Sequence, residues 1–228
     1  MPATDPPAAS SLPGLDGLGE GLRERLLASG ERRLYGLGQS LCHADLIPSE
    51  ILLLLSGSAR LLARDAGVLR TAEKLGPGAW VGLASLLRAA PCEEVAAAGE
   101  VEVLAIADAR LLALLKEEPA FAGWCADRLF SAELLALLAE LLQRRAQADV
   151  SLLGLWRDLA PEARLVPPTR EGLQSLTPGE LLFAASHNLQ DHPLGSELQP
   201  AEGVPKVRPP LPPRLIALPA APLRAVLA

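Results

Sequence analysis

The stretch with the strongest chemical outline runs from Leu75 to Val95, LGPGAWVGLASLLRAAPCEEV. A glycine turn at Gly76, Pro77 and Gly78 leads through Trp80 and Val81 to Gly82 and Leu83, then to a short apolar helix expected over Ala84 to Leu87, and on to Pro91 and Cys92. Leu83 after Gly82 and Cys92 after Pro91 offer no charged partner to a polar ligand. Glu93 and Glu94 follow directly and are expected to repel an anion.

Other chemistry-bearing residues are isolated. Cys92 beside Glu93 and Glu94 is disfavoured as a thiolate, so a structural cysteine is expected there. Cys42 with His43 offers two metal ligands, but a four-ligand site needs two more at suitable spacing, and His187 and His192 lie far off in the chain. Ser56, and Ser186 beside His187, lack a base and an orienting carboxylate at recognisable positions. The turn from Gly76 to Gly78 has no G-x-x-x-x-G-K-[ST] pattern. No enzyme activity, metal or cofactor is expected.

The 228 residues are 50% apolar but only 3% aromatic, so any core must be built from Leu, Ala and Val. A net charge of −6 without clustered Lys and Arg argues against a nucleic-acid surface. Three distant cysteines, Cys42, Cys92 and Cys125, fit a reducing compartment. No secretory signal is visible, and the most apolar windows, Ile51 to Leu55 and Leu134 to Leu142, are shorter than the roughly 18 residues a spanning helix needs. A cytoplasmic location follows from this reading.

Four segments are expected. Residues 1–14, rich in Pro, Ala and Ser, read as a disordered N-terminus. Residues 15–147 read as one domain: Leu15, Leu18, Leu22 and Leu26 recur at helical spacing, and Arg32 to Ile106 is broken by glycines in the manner of antiparallel strands. The clearest hairpin sets Ser58–Arg64 against Val68–Leu75, with Asp65, Ala66 and Gly67 as the turn. Val101–Ile106 closes the strands, Asp108 caps a helix to Lys116, Pro119 opens the next, and a long apolar helix runs from Ser131 to about Gln147. Residues 148–199 read as a weakly defined extension, with a helix over Ser151–Leu159 and a turn plus strand within Gly172–Phe183. Residues 200–228, with eight prolines, read as a stiff linker. The fold class is α+β, an antiparallel jelly-roll-like β-roll flanked by helices.

This order, with Gly38, Gly57, Gly76, Gly78, Gly82 and Pro91 at mutually fitting spacing, resembles the cyclic-nucleotide-binding domain over about residues 15–147. The resemblance implies a phosphate-binding cassette at Gly82, Leu83, Ala84, Pro91 and Cys92, where the family carries a glutamate for the ribose at the place of Leu83 and an arginine for the cyclic phosphate at the place of Cys92. Losing the arginine's paired hydrogen bonds, at roughly 3–5 kcal/mol, and the ribose contacts, at about 1–3 more, implies that cAMP and cGMP binding is lost. In the related catabolite-activator regulators the long helix forms the dimer contact, which points to Phe130, Leu134, Leu137 and Leu141 as a partner interface. The stretch WVGLASLLRAAPCEEV, the long helix and the proline-rich exit ending RLIALP also resemble the N-terminal regulatory regions of bacterial peptidase-containing ABC exporters. That likeness implies a protein partner or fused transporter at the cytoplasmic face of the inner membrane. Three readings stay open: a regulatory module that has lost its nucleotide, a working sensor of a cyclic nucleotide or other small ligand, and a transcription regulator without a recognisable DNA-binding domain.

Overall fold

Turn glycines and short apolar runs set the element order in the computed structural model, which describes residues 12–147 and 149–227. The expectation for residues 1–11 falls outside the described residues; Leu12 is buried and Pro13–Leu15 form a 3-10 turn, so the end of the segment read as disordered is ordered. The order is α1 (Glu20–Leu27), β1 (Glu31–Tyr35), β2 (Ser40–Cys42), β3 (Glu50–Ser56), β4 (Ala59–Asp65), β5 (Val68–Leu75), β6 (Trp80–Val81), α2 (Leu83–Arg88), β7 (Glu94–Ala97), β8 (Val101–Ala107), α3 (Asp108–Glu117), α4 (Pro119–Ala126) and α5 (Ser131–Arg144). It continues with α6 (Leu152–Leu159), β9 (Arg164–Leu165), α7 (Arg170–Gln174), β10 (Glu180–Ala184), β11 (Glu197–Leu198), β12 (Leu215–Pro219) and α8 (Ala220–Leu227). This is an α+β chain with an antiparallel β-roll flanked by helices, as the sequence predicts.

The chain divides into two compact units. One takes the chain up to Leu62 with Thr71–Leu86 and Glu93–Cys125; the other takes Ala63–Arg70, Leu87–Cys92 and everything from Ala126. The long helix α5 therefore belongs with the second unit, not with the 15–147 domain expected from sequence.

In the first unit one sheet has the order β1-β8-β3-β6 and a second the order β2-β7-β4-β5. The core side of β3 and β8 is aliphatic throughout, with Ile51, Leu53, Leu104 and Ile106 almost without exposure. Gly57, at φ +81°, is fixed by packing as well as by its turn, since a Cβ there would stand 2.1 Å from the Glu100 carbonyl oxygen.

The second unit contains the helix expected over Ser151–Leu159 as α6 and the strand expected within Gly172–Phe183 as β10, and it corrects the linker read over residues 200–228. It holds a four-stranded sheet of order β11-β10-β12-β9, with β12 drawn from the proline-rich end and placed between β10 and β9. Leu215, Ile216, Ala217 and Leu218 are all fully buried. The prolines mislead because they occupy the approach, while the strand after them carries consecutive apolar residues. That approach is locked by buried polar groups. The Ser186 hydroxyl accepts from Arg214 N at 2.8 Å and donates to Asn188 Oδ1 at 2.6 Å, and Asn188 Nδ2 donates to the Leu211 carbonyl at 2.5 Å. The Arg214 guanidinium forks onto the Glu133 carboxylate with two bonds of 2.6 Å, both side chains being buried.

The second sheet repeats the first. Written β6-β3-β8-β1 and β11-β10-β12-β9, the two have the same connectivity and every neighbouring pair is antiparallel. Ala105 lies opposite Leu52 and Glu31, and Ala217 lies opposite Leu182 and Arg164. Helices α3 and α8 start directly after β8 and β12, with Asp108 N donating to the Ser49 carbonyl at 2.9 Å and Ala220 N to the Gly179 carbonyl at 2.7 Å. An edge-strand arginine pairs with the first glutamate of the central strand in both: Arg33 with Glu50 and Arg164 with Glu180. Among the described residues the second unit lacks counterparts of β2, β4, β5 and β7; an isolated bridge between Leu189 and Val207 occupies the connecting chain.

Two predictions follow from these ion pairs. Arg214→Leu leaves the Glu133 charge buried alone and lowers urea-unfolding stability by about 3–5 kcal/mol, whereas Arg214→Leu with Glu133→Leu recovers most of the loss. Hydrogen bonds from Arg164 hold the Glu180 carboxyl down to about 2 from its ordinary 4.5. A depressed acid contributes stability that is complete above 4.5 and fades as pH falls towards 2. Glu180→Gln thus lowers the thermal midpoint at pH 6, and its gap from the parent protein closes between pH 4.5 and 2.

Candidate functional site

The cassette begins where β6 ends. Val81 pairs with Leu52, and the chain turns at Gly82 with φ +89°, where a Cβ would meet Pro48 Cγ at 2.7 Å, so only glycine fits. Helix α2 starts at the next residue. Leu83 and Ala84 are fully buried, so the position expected to face a ribose is an aliphatic core position. The return strand β7 is reached through Pro91 and Cys92, both half-buried.

Glu93 organises this turn. Its side chain is 3% exposed, and its two carboxylate oxygens accept from Gly82 N, Ser85 N and Ser85 Oγ, each at 2.9 Å. Gly82 and Ser85 stand at the start of α2, where backbone N–H groups have no partner within the helix. A carboxylate there meets both the donors and the positive end of the peptide dipoles. Glu93, expected from sequence to repel an anion, sets its own carboxylate on the donors at the start of the helix. A signal was present: a glutamate eight residues beyond a serine near a helix start, but its partners become visible only when β7 folds back.

Around this turn the other groups are engaged. Burial lifts the Cys42 thiol up to about 12, with the Glu93 charge as the next cause. Glu94 accepts from Ala44 N at 3.0 Å. Cys42 and His43 gain no further ligands: among the described residues no group of three His, Cys, Asp or Glu side chains is placed to hold a metal.

Arg88, at the end of α2 and unremarked in the sequence, is 3% exposed within the second unit. Its Nε donates to the Ala185 carbonyl at 2.7 Å, while its Nη1 is buried without a hydrogen-bond partner. His187 N donates to the Arg88 carbonyl at 2.8 Å, so Arg88 belongs to the structure around β10. At the tip of the β4–β5 hairpin, Asp65 accepts from Ser151 Oγ at 3.2 Å and Leu153 N at 3.4 Å, anchoring the start of α6.

On α5, Leu134, Leu137 and Leu141 are between 1% and 6% exposed and Phe130 is half-buried. The expected interface leucines are already covered within one chain, so a partner reaching them must first displace what covers them. Helix α5 packs on α6. Among the described residues no helix is long and apolar enough to cross a membrane.

Residues 32–118 match the family model described as cyclic nucleotide-binding domain. The match falls on the roll of the first unit. Among solved structures, the chain is similar to the catabolite activator protein of Thermus thermophilus, at 29% identity over 60% of this chain with a TM-score of 0.44, and spans 60% of that protein's length. It is also similar to the N-terminal domain of a transcriptional regulator from Streptomyces coelicolor, at 21% identity over 50% of this chain and 84% of that one with a TM-score of 0.43. A transcriptional regulator from Thermotoga maritima shares 19% identity over 45% of this chain and 81% of its own, with a TM-score of 0.40. No curated protein matches the chain.

Removing the Glu93 carboxylate strands three buried donors. Glu93→Ala is expected to cost roughly 3 kcal/mol in urea unfolding, at about 1 kcal/mol or more per unmet donor, and Glu93→Gln, which keeps one accepting oxygen, less than half of that. In native protein at pH 8, iodoacetamide is expected to spare Cys42, whose thiolate fraction is about one in ten thousand, and mass spectrometry of the peptides checks this.

Proposed function

We propose that this chain is a non-catalytic regulatory module built on a cyclic-nucleotide-binding-type roll whose cassette has closed on itself and no longer takes cAMP or cGMP. The observation that carries the reading is the Glu93 carboxylate, bonded to Gly82 N, Ser85 N and Ser85 Oγ at the start of α2. An entering phosphate would have to expel a hydrogen-bonded carboxylate from donors that suit either anion, and would find no arginine at Cys92 to offset the exchange. Leu83 in the core removes the ribose contact as well. The module is then held in one state, and regulation passes through protein contacts rather than a diffusible ligand.

The transporter context rests on the sequence likeness to exporter N-terminal regions, with a protein partner or fused transporter as the recipient of the signal. The transcription-regulator reading loses ground because residues 164–219 supply a β-sheet and not a helix-turn-helix. A sensor of another small ligand at the first cassette would need that ligand to replace Glu93.

Calorimetric titration with cAMP and cGMP tests the proposal. The parent chain is expected to give no saturable heat up to millimolar nucleotide. The triple variant Leu83→Glu, Cys92→Arg, Glu93→Ser restores the two missing grips and vacates the anion position, and is expected to regain at least a hundredfold in affinity. Micromolar binding by the parent chain would falsify the reading.

A further inference from the structure

Among the positions at which the two equivalent sheets differ, one stands beside a cavity. Trp80 lies directly opposite Leu53 on the first sheet, and Glu197 lies directly opposite Phe183 on the second. In the first unit the Trp80 indole fills this face: it is buried, its Nε1 donates to the Gly14 carbonyl at 3.0 Å, and it meets Trp124 edge-on at 6.3 Å. In the second unit the equivalent side chain is an exposed glutamate, and a cavity of about 550 Å³ opens on the same face. Its floor includes Leu181, Phe183 and Leu223. Its rim carries Arg144 and Arg145 from the end of α5 and Arg224 from α8, with Glu197 also in the lining and Glu140 paired to Arg144, so that three guanidinium groups stand beside two carboxylates.

We infer that this cavity binds a small amphipathic carboxylate, its apolar body on the β10 face and its head between the arginines. Volume and lining match those of small-molecule sites, which are mainly apolar with a few convergent polar groups. Arg144 is held in place, its Nε donating to Glu140 at 3.0 Å and its Nη2 to the Leu194 carbonyl. The guanidinium groups of Arg145 and Arg224 form no hydrogen bond or ion pair with the described residues, so their forks remain available for a bidentate carboxylate. The Ser196 hydroxyl, also in the lining, is buried and has no partner, and a buried polar group in that condition calls for one. The site is separate from the closed cassette and does not depend on the reading given for it.

The test is calorimetric titration of the full chain with decanoate below its micellar concentration, beside decanol and acetate. Decanoate is expected to bind saturably at one site, with decanol and acetate each at least tenfold weaker, because body and head are both needed. Arg145→Ala with Arg224→Ala is expected to weaken decanoate at least tenfold. Glu197→Trp, which returns the first sheet's tryptophan to the second, is expected to abolish binding and to raise the thermal midpoint by filling the space. Failure of decanoate to bind, equal binding of decanol, or unchanged decanoate affinity in Glu197→Trp each overturns the assignment.

Discussion

The Glu93 carboxylate at the start of α2 is the interaction on which the first unit's chemistry turns. A helix must satisfy its leading N–H groups, and a cassette that binds phosphate leaves them open for the ligand. Here two of those donors and a serine hydroxyl are taken by a residue eleven positions beyond Gly82 and eight beyond Ser85. The consequence reaches past the turn. Once Glu93 faces inward, β7 starts at Glu94 with its register against β4 fixed, Leu62 opposite Glu94 and Ala59 opposite Ala97. The same charge adds to burial in keeping the Cys42 thiol protonated. One side chain satisfies the donors of a helix start, positions a strand and quiets a nearby nucleophile.

On the proposed reading, with the Glu93 carboxylate on the donors at the start of α2, an arginine at Cys92 would have no phosphate to hold, and a glutamate at Leu83 would bring a second carboxylate to the same helix start. Leucine at that place is fully buried instead. The three positions are consistent with one another only when taken together: Glu93 alone would compete with an arginine, and Leu83 alone would leave a polar hollow.

The first roll was legible in sequence because its turns are sterically forced. Gly57 cannot carry a Cβ against Glu100, and Gly82 cannot carry one against Pro48, so the glycines mark real turns and their spacing fixes the order of strands between them. The role of Glu93 was not legible, because counting adjacent charges sees repulsion and misses donors that arrive from an earlier strand. The second sheet was hidden for a different reason. Its equivalent residues drift from 133 positions apart at Glu31 and Arg164 to 112 at Ala105 and Ala217, as the paired registers require. No fixed period exists to be found. Two local traces did survive: Pro48-Ser49-Glu50-Ile51-Leu52 against Pro178-Gly179-Glu180-Leu181-Leu182, and the strand-into-helix passage ending in Leu111 and in Leu223.

Those traces mark the parts of a β-roll that cannot be given up. The central strand pair β3 and β8, repeated as β10 and β12, supplies backbone pairing on both sides and an apolar face; the helix that follows is tied to the residue before the central strand by one backbone hydrogen bond. The strands of the other sheet can be replaced by a chain that satisfies its polar groups in another way, as the Ser186, Asn188 and Leu211 network does. What such a reduced roll lacks is filling. The first unit covers the Leu53 face of its sheet with an indole and two more aromatic rings from Phe121 and Trp124, whereas the second places a charged residue at the indole's position. Loss of a large buried side chain leaves a hollow that neighbouring groups only partly relax to fill, and here arginines edge the hollow that remains. The two units therefore treat the same scaffold in opposite ways: one packs an indole on this face of its sheet, and the other leaves the same face open.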